Sequence, residues 1–307
     1  MNNIIEIKNL NKSYGKLKAV DDLSFCVKEG ELFAFLGVNG AGKSTTINIM
    51  CGDLNKDSGD IKIAGYNLDK DIDIIKRKIG VVFQNSVLDK DLSVYDNLES
   101  RGSLYGILGN ELKSRINELS EMLEFKDLLK ISLSKLSGGQ KRRIDIARAL
   151  IHKPSILILD EPTTGLDPQT RKTLWDVIDK LRKEEKMTVF LTTHYMEEAA
   201  EADYVVIIDS GKIAANGTPN ELKNMYGGDY ITLYNIIEEE VKKLNLPYEK
   251  IRDAYRVFIK ETLDATKLII SNPDLFKDYE ITKGKMDDIF LTVTGKKLTG
   301  GENNDGN

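Results

Sequence analysis

The chain has 307 residues, with 44 Lys plus Arg against 49 Asp plus Glu, 41% hydrophobic and 30% charged residues, which excludes wholesale disorder and fits one large domain or two modest ones. A net charge of −5 lacks the footprint of a general nucleic-acid binder, and two cysteines, Cys26 and Cys51, cannot build a disulfide framework. No apolar run approaches the roughly 18 residues of a membrane-spanning helix, and MNNIIEIKNL has no basic stretch leading a long apolar one, so a soluble, cytoplasmic chain without a signal peptide is expected.

The first 35 or so residues read as strands, among them Leu23 to Val27 and the continuous apolar run Leu32 to Leu36 that ends in glycine. Residues 43–51 suit a helix, and Ser58-Gly59-Asp60 turns the chain into a strand pair around Ile61 to Ile63. From about 90 to 150 the period becomes helical, with Leu112, Ile116, Leu119 and Leu123 at helical spacing, and likewise Ile144, Ala147, Leu150 and Ile151. Three buried strands are expected at 156–159, 188–191 and 205–208, with a helix at 169–183 between the first two. Strand, helix, strand with covered strands predicts crossover units and a mostly parallel sheet. Tyr226-Gly227-Gly228-Asp229 reads as a linker. Beyond it a small second α+β domain is expected: a helix near 236–245, a strand at 255–259, a helix near 261–271, a strand near 279–283 and a helix near 285–293. The stretch Gly300 to Asn307 has no apolar residue and is expected to be a disordered tail.

Three segments carry chemistry. Gly37-Val38-Asn39-Gly40-Ala41-Gly42-Lys43-Ser44-Thr45 fits the phosphate-binding loop G-x-x-x-x-G-K-[ST], placed between a strand and a helix as that loop requires. Its glycines let backbone N–H groups turn toward phosphate oxygens, and the helix start adds its positive dipole end. In that reading Lys43 reaches the terminal phosphates and the Ser44 hydroxyl ligates Mg²⁺. The strand at 156–159 ends in Asp160-Glu161, two carboxylates at the edge where open α/β sheets bind ligands. Asp160 suits Mg²⁺ held through water, and Glu161 suits a general base; alone, the pair also fits an acidic loop start. Leu136-Ser137-Gly138-Gly139-Gln140 precedes a helix, with Ser137 a good N-cap; alone, this fits an ordinary capped helix equally well.

The three together resemble the ATP-binding cassette (ABC) ATPases over residues 1 to about 225, a family whose signature LSGGQ lies between the phosphate loop and the acidic strand end, as Leu136 to Gln140 does here. The resemblance implies a P-loop NTPase fold: a mixed sheet core, an antiparallel β subdomain and a helical subdomain at about 86–150. The cassette would span 1–226, with a small C-terminal accessory domain at 229–298 and a tail at 299–307. It implies that Tyr14 stacks on adenine, that Gln84 contacts Mg²⁺ and couples to a transmembrane partner, that Asp167 lies in the D-loop, and that His194 is the switch histidine near the γ-phosphate. Tyr14 could instead pack beside the N-terminal strands, Gln84 could be a solvated loop residue, and His194 a satisfied strand-end histidine. His152 receives no role. Lys141-Arg142-Arg143 after the signature, and Met286 to Gly295, are similar to the drug-resistance (daunorubicin-resistance-type) exporter group. Val38, where members of the ABC family often have Pro or His, and Asp96, where they usually carry Glu, depart from the family pattern without removing a ligand.

The resemblance implies an ATPase with ATP and Mg²⁺ as cofactors, sandwiching two nucleotides head to tail in a homodimer. It also implies a separate multi-span membrane permease as partner, a position on the cytoplasmic face of the membrane, and no nucleic acid. Glu161, His194 and Lys43 are its expected catalytic residues. The rival reading is an ABC ATPase without transport, such as a translation factor, repair clamp or cluster-assembly subunit. A third, a catalytically dead binding module, is opposed by the presence of Lys43, Asp160, Glu161 and His194.

Overall fold

The computed structural model describes residues 2–260 and 262–295; the expected tail at 299–307 lies outside them. A six-stranded sheet runs in the order Lys212–Gly217, Tyr204–Asp209, Leu32–Leu36, Thr188–Thr193, Ile156–Asp160, Ile79–Val82. All neighbours in it are parallel except the Lys212–Gly217 edge, which runs antiparallel. Its central strands are apolar on both faces because both faces are covered, and period-two alternation divides them between two cores. Leu32, Ala34 and Leu36 face one core with Leu157, Leu159, Val189 and Leu191; Phe33 and Phe35 face the other with Ile156, Ile158 and Phe190.

The second core is closed by an antiparallel sheet ordered Leu17–Lys28, Asn3–Tyr14, Ser58–Ile63, Tyr66–Asn67. Phe25 of that sheet stacks on Phe33 at 5.3 Å, and Phe33 on Phe190 at 5.1 Å, so aromatic area joins the two sheets. The first core is closed by helices, including Val94–Leu104, Gly109–Met122 and Gly138–Leu150. The expected stripe Leu112, Ile116, Leu119 and Leu123 is fully buried there. The mixed core, β subdomain and helical subdomain are the three parts that the sequence resemblance leads one to expect.

The C-terminal segment forms a third sheet, ordered Tyr248–Ile251, Ala254–Ile259, Asp229–Tyr234, Tyr279–Lys283, all antiparallel. With the helices Glu238–Lys242 and Thr262–Ser271 this is a split β-α-β-β-α-β unit around its own core of Ile231, Leu233, Val257 and Phe276. The strand Tyr248–Ile251 was not legible in the sequence, because an edge strand reading Tyr-Glu-Lys-Ile has no apolar alternation. The expected helix near 236–245 spans only Glu238–Lys242. The final helix, Met286–Thr294, leaves that unit. Its Met286, Ile289 and Phe290 pack into the first core with Met196, Ala199 and Leu222 of the cassette.

Candidate nucleotide site

Three parallel strands end level with one another. Leu36 pairs with Thr193 and Asp160 with Thr192, so Gly37, Glu161 and His194 emerge at one sheet edge. The loop after Leu36 turns into the helix Lys43–Met50 through Gly42, whose φ is +110°. A Cβ there would sit 2.4 Å from the Ala19 carbonyl oxygen, so only glycine fits. Lys43 is 4% exposed; its Nζ donates to the Gly37 carbonyl at 2.7 Å and stands 3.2 Å from Glu161 Oε1. An ammonium beside a helix start offers a ready site for phosphate.

Glu161 is 8% exposed and has φ +45°, a left-handed backbone rare outside glycine. Gln84 Nε2 donates to its Oε2 at 3.3 Å, and Thr164 Oγ1 donates to the same oxygen at 3.4 Å. His194 Nδ1 lies 3.1 Å from that oxygen without the alignment of a hydrogen bond. The Asp160 carboxylate accepts from Thr192 Oγ1 at 2.5 Å; burial raises its pKa, and the Thr192 bond opposes that rise. Ser44, Gln84 and Asp160 bring hydroxyl, amide and carboxylate oxygens to this edge, a hard donor set that suits Mg²⁺.

A cavity of about 350 Å³ opens here, lined by Tyr14, Asn39, Gly40, Ser44, Thr45 and Gln84 beside Lys43 and Glu161. Ala41 is buried behind it, its N–H bonded to the Val38 carbonyl. Tyr14, 50% exposed, presents its ring at the rim rather than packing into the core. Segments separated by up to 180 residues in the chain, from Tyr14 to His194, thus meet at one place.

The remaining predicted residues lie elsewhere. None of Ser137, Gly138, Gly139, Gln140 and Asp167 lines this cavity. Ser137, Gly139 and Gln140 line a separate cleft of about 190 Å³ with Leu166 and Thr170. Ser137 and Gln140 form a reciprocal capping box at the start of Gly138–Leu150, at 2.9 and 3.3 Å. A Cβ on Gly139 would come 2.3 Å from Thr170 Cγ2, so this glycine permits the close approach of the next helix. Asp167 caps that helix, Pro168–Glu185, accepting from the Thr170 N–H at 3.0 Å.

Sequence reasoning missed two buried groups. Glu198 accepts from the hydroxyls of Thr163 and Thr193, bracketing Glu161 and His194. Arg142 extends its guanidinium under the site. Its place in Lys141-Arg142-Arg143 carries no local signal of burial, because the four carbonyls it meets come from segments 18 or more residues away.

A model of the ABC transporter family matches residues 20–164. The chain is similar to the linearmycin resistance ATP-binding protein LnrL of Bacillus subtilis, 43% identical over 229 residues, 74% of this chain and 73% of that protein. It is also similar to the Nod factor export ATP-binding protein I of Ralstonia nicotianae, 32% identical over 305 residues, 96% of this chain and 95% of that one. Among solved structures, the dimeric post-hydrolysis state of the ATP-binding cassette MJ0796 bound to ADP and Pi matches with TM-score 0.65 and 29% identity, covering 70% of this chain and 98% of that one.

Proposed function

The chain belongs to the ABC transporter family of ATP-hydrolysing cassettes, and from that premise we propose that it powers a separate multi-span membrane permease for efflux of a drug-like, lipid-like or other small substrate. Relatives named for drug resistance and for Nod factor export support the direction of transport. Among the described residues no helix is long and apolar enough to cross a membrane, which is consistent with a permease on another chain and a peripheral position at the cytoplasmic face.

The observation that carries the reading is the convergence of Tyr14, Lys43, Gln84 and Glu161 on one cavity, with His194 3.1 Å from Glu161. In the proposed mechanism Tyr14 stacks on the adenine and the loop Gly37 to Thr45 wraps the phosphates. Lys43 moves from its Glu161 partner to the terminal phosphates, which frees the carboxylate. Glu161 then accepts the proton of the attacking water, while Gln84 and His194 orient water and γ-phosphate. Ser44, Gln84 and Asp160 would hold Mg²⁺, which supplies charge neutralisation for the phosphates when bound. Ser137, Gly138, Gly139 and Gln140 do not line this cavity in their own chain. They are proposed to cover the nucleotide of a second copy, with Asp167 beside them, in a two-fold dimer.

The test is Glu161→Gln. It keeps Lys43, Ser44 and Asp160, so ATP should bind normally, hydrolysis should become slow, and a dimer should accumulate with ATP on size-exclusion chromatography with light scattering. A variant that binds ATP tightly yet stays monomeric would count against the sandwich.

A further inference from the structure

We propose that Arg142 is a positioning residue for hydrolysis: one buried guanidinium, carried by the helix that starts at the Ser137 segment, holds the backbone around Glu161 and the carbonyl just before Gln84. The inference rests on the reading of Glu161 as the base.

The geometry is specific. Arg142 is 7% exposed. Its Nε donates to the Pro162 carbonyl at 2.7 Å, and one terminal nitrogen donates to the carbonyls of Asp160 at 3.3 Å and Glu161 at 3.2 Å. The other terminal nitrogen donates to the Phe83 carbonyl at 2.5 Å. Four carbonyls from two separate segments therefore converge on one cation. Only a planar fork with several donors can serve them all; an ammonium is a point and cannot.

Two features connect this grip to chemistry rather than to packing alone. The first is the backbone of Glu161, which sits at φ +45°. A non-glycine residue stays in that region only when its surroundings over-determine it. The Glu161 N–H is held by the Thr192 carbonyl at 3.1 Å, and its C=O accepts from Arg142 at 3.2 Å and from the Thr164 N–H at 3.3 Å, so Arg142 is one of the restraints on the backbone that aims the carboxylate. The second is that the same helix face holds the strand Ile79–Val82 and the loop after it, which carries Gln84, at three points. Arg142 holds Phe83, Asp145 accepts from the Ser86 hydroxyl at 3.0 Å, and Arg148 donates to the Val81 carbonyl at 2.8 Å. Positions 142, 145 and 148 lie three apart on one helical stripe. The helix whose first turn is the Ser137 segment is thereby fastened to both Gln84 and Glu161. A change at that first turn, such as a second subunit's nucleotide arriving, is passed to the base through Arg142.

The experiment compares Arg142→Lys, Arg142→Ala, Glu161→Gln and the unaltered full chain in two measurements: ATP affinity by a fluorescent ATP analogue, and single-turnover hydrolysis per bound ATP. Because a misaligned base costs up to about 100-fold, both Arg142 variants should hydrolyse about 10- to 100-fold more slowly per bound ATP, with affinity within about twofold of the unaltered chain. A purely structural role would lower the amount of competent protein and the melting temperature, but not the rate per bound ATP. Unaltered rates per bound ATP in Arg142→Lys, with Glu161→Gln inactive, overturn the proposal and leave the site reading standing. Unaltered hydrolysis in Glu161→Gln overturns the site reading itself. If Arg142→Ala does not fold, Arg142→Lys, which keeps the charge and the stem, decides alone.

Discussion

A lysine ammonium at 4% exposure, with a glutamate carboxylate 3.2 Å away, is a pair that needs a new partner for each member before either can act. In the proposed mechanism terminal phosphates are the new partner of Lys43, and water is that of Glu161. Lys43→Ala should therefore reduce ATPase activity by about 100-fold or more, the usual loss on removing one preorganised charge at a developing anion; turnover near wild type would remove Lys43 from the site. Tyr14 has a half-exposed ring at the rim, so Tyr14→Ala should raise the KM for ATP by the equivalent of roughly 1–3 kcal/mol with little change in kcat, because stacking is felt equally in ground and transition states. An unchanged KM returns Tyr14 to a packing role. His152, given no role from sequence, has a structural one: Nε2 meets the Ile79 carbonyl at 3.0 Å and the ring stacks on Tyr105 at 3.9 Å. Burial, aided by nearby arginines, lowers its pKa from 6.5 to about 4. Between those two pH values the unfolded chain binds the proton and the folded chain does not, so stability rises with pH across that window and is lost as pH falls through it. His152→Gln should flatten the dependence of Tm on pH between 6.5 and 4; an unchanged slope would place the titration elsewhere.

Helix starts repeat the same device at element scale. Ser93 caps Val94–Leu104 in a capping box whose third residue is Asp96, the position where the family resemblance leads one to expect Glu. The shorter carboxylate still reaches, with Ser93 Oγ donating to Asp96 Oδ2 at 2.6 Å, so the departure is tolerated locally. Ser93→Ala should cost about 1 kcal/mol, the ordinary worth of a cap. For a protein of this size that lowers Tm by roughly 1–2 °C. Nucleotide affinity should not change, since Ser93 does not line the Lys43 cavity; a calorimetric scan with and without ATP checks both halves. A drop much larger than this would mean that the cap also secures the bridge from Ser93 to Ser132.

At the scale of the whole molecule, the last helix changes the consequence of cutting the chain. The C-terminal sheet has its own core, which favours an accessory unit at about 229–298. Yet Met286, Ile289 and Phe290 are almost fully buried in the core of the cassette. Deleting residues from 230 onward should leave a cassette that still binds ATP, because no cavity residue is removed, but with a lower Tm, because Met196, Ala199 and Leu222 lose their cover. Phe290→Ala alone should reproduce much of that loss, at about 3–5 kcal/mol for a buried aromatic. An undiminished Tm in both would show that the helix is not docked in solution, and a truncation blind to ATP would mean that the boundary is misplaced.

Periodicity and local chemistry were enough to read the covered strands, the helical middle third and the phosphate loop. Each depends on neighbours a few residues apart: alternation of two, spacing of three to four, glycines in one tight turn. The family pattern added Gln84, Asp167 and His194 as residues to look for. What only the tertiary structure decided is what stands beside what. The level ends of three parallel strands bring Gly37, Glu161 and His194 together, and that register is set by pairing across long stretches of chain, Leu36 with Thr193 and Asp160 with Thr192. The same packing puts the Ser137 segment on a cleft separate from the Lys43 cavity, places Arg142 under four distant carbonyls, and draws the final helix back onto the cassette. Such contacts leave no local signature, since a buried arginine and an exposed one look alike in sequence. Their energies come from partners that the fold alone supplies.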